Sequence, residues 1–297
     1  MIQNQTFIGV NLTDAMDAVI VQSGVVPQII TKSPYKPKII AGIPAYNEEQ
    51  FISEIVRKTS RFVDEVIVVD DGSTDRTVQV AEAAGATVIR HKVNRGAGAA
   101  TETCFKEARK RGADVLVTLD GDGQHNPDEI NDVAGPALSG EADLVIGSRF
   151  IENHNNMPIY RRLGINVITW LCNFGSKERI TDTQCCFRAY GKKAIHTLGS
   201  NEEGFGFSID LLIQSRDKDL NIAEVPISCI YHSDCHTENP VTHGLGVAYS
   251  VLKFRLKSRW NALTNTPSKK PDAIVSESDV RPMNGSPALA DRTAMPN

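Results

Sequence analysis

The chain has 297 residues, 41% of them hydrophobic, which is enough to bury a large core, and 32 Lys and Arg against 36 Asp and Glu leave a formal charge of −4. No nucleic-acid partner is expected from that balance, although local basic patches that hold phosphates are compatible with it. Six cysteines, at 104, 172, 185, 186, 229 and 235, show no framework spacing and suit reduced thiols in a cytoplasmic protein.

Residues 1–36 form an N-terminal extension of scattered apolar residues with no assigned role. From Lys38 the pattern alternates. Strands are expected at Ile39–Ile43, Glu65–Val69, Thr87–Arg90, Asp114–Leu119 and Asp143–Ile146, and helices at Glu48–Ser60, Asp75–Ala84, Ala97–Arg111 and Pro127–Leu138. Alternation of this kind predicts an α/β fold with a mostly parallel sheet flanked by helices. After Gly147 it breaks into a mixed second half. Expected there are a polar loop at Glu152–Asn156, a helix at Tyr160–Phe174, a short strand at Cys186–Tyr190, a helix at Phe207–Lys218, a strand at Ile222–Ile230, a His-rich loop and a last helix at Leu245–Trp260. The organisation read from this is a main domain at 37–262, divided into 37–150 and 151–262, followed by a disordered tail at 263–297 that is rich in Pro, Ser, Lys and Asp. No secretory signal opens the sequence. Its most apolar stretches, such as Leu163 to Phe174, are too short and interrupted to span a bilayer, so membrane contact is expected to be peripheral.

Two acidic clusters carry most of the chemistry. Val66–Val69 runs into Asp70-Asp71-Gly72-Ser73-Thr74-Asp75, and Val115–Leu119 runs into Asp120-Gly121-Asp122-Gly123-Gln124. Both therefore sit at the carboxyl ends of buried strands, the edge where open α/β sheets bind ligands. Asp120 and Asp122, separated by one glycine, can offer oxygens to a hard divalent cation and leave positions for a diphosphate. Acidic turns that merely cap helices are the plain alternative.

Pro44-Ala45-Tyr46-Asn47-Glu48 follows the first strand. Tyr46 can stack on a base, Glu48 can accept from a ribose or base, and Asn47 can cap the next helix; a capping box would also explain Asn47 and the glutamates. Asp70 or Asp71 can bind a base edge or ribose hydroxyls. Asn94-Arg95-Gly96-Ala97-Gly98 lets backbone amides and a cation approach an anion, or is simply a helix-start turn.

These motifs, together with Gly147-Ser148-Arg149, resemble family 2 glycosyltransferases, and among them the polyprenyl- or dolichyl-phosphate sugar synthases. The resemblance covers roughly residues 38 to 260. It implies a GT-A fold, a nucleotide-sugar donor, Mg²⁺ or Mn²⁺ and inversion at the anomeric carbon. Residue by residue, it implies nucleotide contacts from Pro44, Tyr46, Glu48 and Asp70, a metal-diphosphate motif at Asp120 and Asp122, and a further metal ligand at Gln124; Asp71, Gly96 and Asp120 are also expected at the nucleotide. Asp122, Arg149 and Gln184 are the implied catalytic group; Ser148, Arg149, Arg161 and Arg162 are placed at the acceptor phosphate. Cys186 stands where the family usually has glycine.

A phosphate acceptor is already anionic and needs placement more than a base, which Arg149, Arg161, Arg162 and Arg188 can supply. The segment Tyr231–Gly244 resembles archaeal dolichyl-phosphate synthases that use UDP-sugars, which turns the donor expectation to UDP-N-acetylglucosamine or UDP-glucose. His232, His236 and His243 can hydrogen-bond a phosphate, or be ordinary loop histidines; a zinc site at Cys229, His232, Cys235 and His236 is the further alternative. The last helix, with Val247, Val251 and Phe254 beside Lys253, Arg255, Lys257 and Arg259, reads either as a membrane-surface helix or as a packed helix with a basic face. The expected location is therefore the cytoplasmic face of the cell membrane. Two other readings are a transferase acting on a hydroxyl acceptor with Asp182 or Asp210 as base, and a nucleotide-sugar-binding protein without turnover.

Overall fold

The computed structural model describes residues 35–151, 159–176, 178–204, 206–230, 253–254, 256 and 280–282. The chain divides after Pro37, and the fold is that of the unit beginning at Lys38.

In chain order the elements are β1 (Ile39–Ala45), α1 (Ile52–Thr59), β2 (Glu65–Asp70), α2 (Thr77–Ala83), β3 (Thr87–His91), α3 (Ala97–Lys110), β4 (Val115–Thr118), α4 (Ile130–Leu138), β5 (Leu144–Ser148), α5 (Ile159–Asn173), β6 (Arg188–Gly191), α6 (Lys192–Thr197), α7 (Phe207–Asp217), β7 (Ile222–Pro226) and β8 (Val280–Pro282). The strands form one sheet in the order β7-β5-β6-β4-β1-β2-β3-β8. Pairs β1·β2, β1·β4, β2·β3 and β5·β7 are parallel, as the alternation predicts. β6 enters antiparallel between β4 and β5.

Runs such as Val66–Val69 and Leu144–Ile146 are buried throughout because helices cover both faces of the strands they form. Close helix–sheet contact is set at Gly42, where a Cβ would lie 2.7 Å from the Cβ of Cys104 on α3. A second cluster joins Ile168 and Cys172 of α5 to Ile209 and Ile213 of α7 and to Phe254.

The order β3-β2-β1-β4 reverses direction at β1. Chain leaving the carboxyl ends of β1 and β4 therefore faces a crevice at the switch point, the place where such sheets bind ligands.

Several expectations are corrected. The first helix starts at Ile52, not Glu48, and its N-cap Phe51 makes no side-chain cap bond. Asn47 instead adopts φ 58° and accepts from the Thr74 amide at 2.9 Å, tying the β1 loop to the β2 loop. The helix expected from Pro127 opens as a 3₁₀ turn at Pro127–Glu129 whose Asp128 amide is capped by Asn126. α6 was not expected, since six residues carry too little periodicity to read. Within the segment expected to be a disordered tail, Val280–Pro282 pairs antiparallel with β3. Of the expected helix 245–260 only Lys253, Phe254 and Leu256 are described, all three helical.

Candidate active site

The β1 and β4 loops meet because residue 121 is glycine. A Cβ there would stand 3.2 Å from the Pro44 carbonyl oxygen and 3.6 Å from Cγ of Glu48. The close approach gathers Glu48, Asp120 and Asp122 in one place. Burial first, and then the charges of Asp122, Asp120 and Asp75, push the Glu48 carboxyl up to about 8. Asp122 is raised for the same reasons, burial followed by Asp120. Its Oδ1 accepts from the Gln124 amide at 3.0 Å and its Oδ2 accepts from the Gln124 side-chain amide.

Among the described residues no three His, Cys, Asp or Glu side chains converge as a ready-made metal cluster. Asp120, Asp122 and the remaining Gln124 oxygen nonetheless fit a Mg²⁺ or Mn²⁺ ion that completes its shell with substrate oxygens. Burial and mutual repulsion raise these carboxyls, and a dication held between them would relieve that repulsion.

His125 is a support that the motifs did not reveal. Its Nδ1 accepts from the Asp120 amide at 3.2 Å, and its Nε2 faces the Cys185 sulfur at 3.9 Å. Burial holds it down at about 4, so the ring is neutral at pH 7. A neutral ring with Nδ1 as acceptor fixes the Asp120 backbone without adding charge to the crevice.

Tyr46 is 43% exposed. Asp70 and Asp71 are buried. Asp70 accepts from the Ser73 amide and pairs with Arg90 at 3.2 Å. Asp71 accepts from the amides of Arg95 and Gly96 and pairs with His91 at 2.7 Å. Both carboxylates are thus engaged in shaping loops.

Gly96 and Gly98 answer to a different neighbour from the anion expected. A Cβ on Gly96 would lie 2.2 Å, and one on Gly98 2.0 Å, from backbone oxygens of Glu203 and Glu202. The Gly98 amide donates to the Glu203 carbonyl at 2.9 Å. The start of α3 is therefore covered by the 202–204 segment, and the expected nucleotide contact at Gly96 gives way to an internal one.

Beyond β5 the expected acceptor residues turn inward. Ser148 lies 2.6 Å from Oγ1 of Thr181, and Arg149 pairs bidentately with the fully buried Asp182, Nε to Oδ2 at 2.6 Å and Nη2 to Oδ1 at 2.9 Å. Burial tends to raise Asp182, but the Arg149 guanidinium outweighs it and holds the carboxyl below its ordinary value. Arg188, also expected at a phosphate, is buried and donates to the carbonyls of Cys185, Ser208 and Thr183. Gln184 presents a buried Nε2 with no hydrogen-bond partner among the described residues. Arg162 is exposed and lies over the Phe150 ring at 5.9 Å. The Arg161 side chain, His232, His236 and His243 fall outside the described residues, as does Cys235 of the zinc alternative.

The chain is similar to several known proteins. Over 242 residues the chain is 35% identical to the UDP-N-acetylglucosamine–dolichyl-phosphate N-acetylglucosaminyltransferase of Methanococcus voltae, covering 72% of this chain and 94% of that protein. It is 31% identical over 217 residues to the dolichyl-phosphate hexose transferase of Haloferax volcanii, covering 72% and 92%. Among solved structures it resembles glucosyl-3-phosphoglycerate synthase from Mycobacterium tuberculosis in complex with Mn²⁺, UDP-glucose and phosphoglyceric acid, with a TM-score of 0.57 and 24% identity over 78% of this chain and 82% of that one. The likeness supports the GT-A fold. Residues 41–199 match the family described as Glycosyl transferase family 2, and with the sheet, the switch point and the paired aspartates in place the chain belongs to that family.

Proposed function

We propose that the protein transfers N-acetylglucosamine or glucose from its UDP-sugar to a dolichyl or other polyprenyl phosphate, in a Mg²⁺- or Mn²⁺-dependent reaction at a membrane surface. The observation that carries this reading is the crevice between β1 and β4, where the close approach at Gly121 gathers the carboxyl groups of Glu48, Asp120 and Asp122. Asp120 and Asp122, with Gln124, would hold the ion, whose chemistry is to offset charge on the departing diphosphate. Tyr46 and Glu48 would receive the nucleoside. The named activities of the Methanococcus voltae and Haloferax volcanii relatives support the substrate classes.

A phosphate acceptor is favoured over a hydroxyl one by the state of the two candidate bases. Asp182 is buried, ion-paired and held low, the reverse of a base poised near neutrality. Asp210 accepts from Ser200 at 2.7 Å and from Gln214 at 3.0 Å, bonds that pin the 199–202 segment. A phosphate oxygen needs no proton removed, and the Gln184 amide is a donor suited to such an oxygen.

Radiolabelled UDP-N-acetylglucosamine, UDP-glucose and GDP-mannose, each incubated with dolichyl phosphate and Mn²⁺, are expected to give an extractable lipid-linked sugar from a UDP donor. Absence of lipid product from every donor overturns the proposal.

The membrane reading is supported at α5. No helix of the described residues is long and apolar enough to cross a membrane. Along α5, Ile165, Ile168, Thr169 and Cys172 face the protein, while Leu163, Val167, Trp170 and Phe174, at intervals of four, three and four residues, are 51–66% exposed. That spacing gathers them in one stripe opposite the packed face. Arg162 at its start supplies a cation for lipid phosphate, the arrangement of a helix lying in a bilayer surface.

Each such side chain gains about 1.5–3 kcal/mol when fully removed from water. Trp170→Glu with Phe174→Glu is therefore expected to weaken binding to vesicles containing one-third anionic phospholipid at least about tenfold. Flotation at several lipid concentrations measures this, and unchanged partition would move the membrane contact elsewhere. A change in oligomeric state on size exclusion would instead assign the stripe to contact between copies.

A further inference from the structure

We infer that Glu224, on β7, is a positioning residue for the transfer reaction, holding the Thr181–Gln184 segment in the arrangement that presents Gln184 to the acceptor phosphate. The inference rests on the proposed function. Its structural half stands on hydrogen bonds alone.

Residues 178–187 between α5 and β6 form no helix or strand, so their course depends on side-chain anchors. The Glu224 carboxylate accepts from the Thr181 amide at 2.9 and 2.8 Å, from the Thr181 hydroxyl at 2.9 Å and from the Asp182 amide at 3.0 Å. Three donors thus converge on one side chain that reaches over from the strand paired with β5.

The directions of the bonds follow. Thr181 gives its hydroxyl proton to Glu224, so Ser148, 2.6 Å away, must donate to Thr181, and Ser148 in turn accepts from the Phe150 amide at 3.2 Å. A carboxylate suits the end of this relay because it accepts and never donates. On the other side of the clamp, Asp182 engages Arg149 and accepts from the Gln184 amide at 3.3 Å. Glu224 therefore sets the backbone on which Asp182, Arg149 and Gln184 are registered. Glutamine at 224 can keep one oxygen where all three donors point, but it sets an amide N–H₂ against the Thr181 N–H, which also faces Oε2 at 2.8 Å.

Loss of registry by a fraction of an ångström to an ångström lowers turnover by up to about 10²-fold when the displaced group acts on the reacting atoms. Glu224→Gln, nearly isosteric, and Glu224→Ala are to be compared with the wild type in kcat, KM for the UDP-sugar, Mn²⁺ affinity, and hydrogen exchange of a peptide spanning 178–186. The expected result is a kcat lower by roughly 10–100-fold, with donor KM and Mn²⁺ affinity within about threefold and faster exchange confined to 178–186. A kcat within twofold of wild type overturns the inference, as does a general rise in exchange with donor and metal affinity lost together. If the wild type itself transfers sugar to no lipid phosphate, the functional reading fails, while unchanged exchange at 178–186 in Glu224→Gln separately removes the clamp.

Discussion

Asp122→Ala is expected to lower sugar transfer by about 10³-fold or more while the protein stays folded. Removing a carboxylate that helps hold the ion forfeits charge stabilisation at the leaving diphosphate, where single electrostatic contributions already amount to about 10²–10³-fold. Stability should not suffer, because burial and the neighbouring Asp120 both oppose charge on this side chain. Activity assays with saturating Mn²⁺, paired with thermal melts in its absence, test the two halves. Full turnover in the variant would contradict the assigned metal role.

The same crevice sets a pH dependence in the unaltered protein. Glu48 lies well above its ordinary range, at about 8, so at pH 6 the crevice holds a proton that an incoming dication must displace or tolerate. The Mn²⁺-induced rise in Tm is therefore expected to grow from pH 6 to pH 8 and to level off above it. A rise that shrinks over that interval would mean that the ion binds away from these carboxylates.

Asp182→Ala is expected to produce the largest loss of stability of any single change at the site. It leaves the Arg149 guanidinium, 7% exposed, without its bidentate partner. Breaking a buried pair from one side costs about 3–5 kcal/mol, whereas replacing both partners by apolar groups is often neutral. At about 2–4 °C per kcal/mol for a domain of this size, Tm should fall by roughly 6–20 °C. Arg149→Met combined with Asp182→Leu should recover most of that loss without recovering transfer, because the backbone amides at 149 and 184 lose Asp182 as their acceptor as well. If the double variant is as unstable as the single one, the ion pair is not the source of the cost. If it is fully active, the pair does not register the site.

Much of the fold was legible because its strands are buried on both faces and therefore appear as unbroken apolar runs, such as Val66–Val69 and Val115–Leu119. The paired aspartates after β4 and the Pro44–Glu48 loop after β1 were legible for a related reason: chain leaving a parallel strand at its carboxyl end is where ligands meet the sheet. Local chemistry misled where a residue's partner is remote in sequence. Asn47 has the composition of a helix cap, yet its oxygen serves Thr74, 27 residues away. Gly96 and Gly98 have the look of an anion loop, yet it is the carbonyls of Glu202 and Glu203 that require the missing side chains. Arg149 follows a strand end as an anion-binding arginine would, yet Asp182 takes its guanidinium.

By itself the order of residues determined the α/β alternation, the sheet edge at which acidic groups gather and which groups those are, because each of these follows from periodicity and from residues adjacent in the chain. Tertiary structure alone decided which carboxylates crowd into one crevice, that His125 is a neutral strut, that α5 shows apolar residues on both sides, and that Glu224 reaches across to Thr181. The physical reason is range. Burial, charge repulsion and hydrogen-bond pairing are set by distance in space, and here the strand order β7-β5-β6-β4-β1 pairs residues as far apart in the chain as Val145 and Ala223.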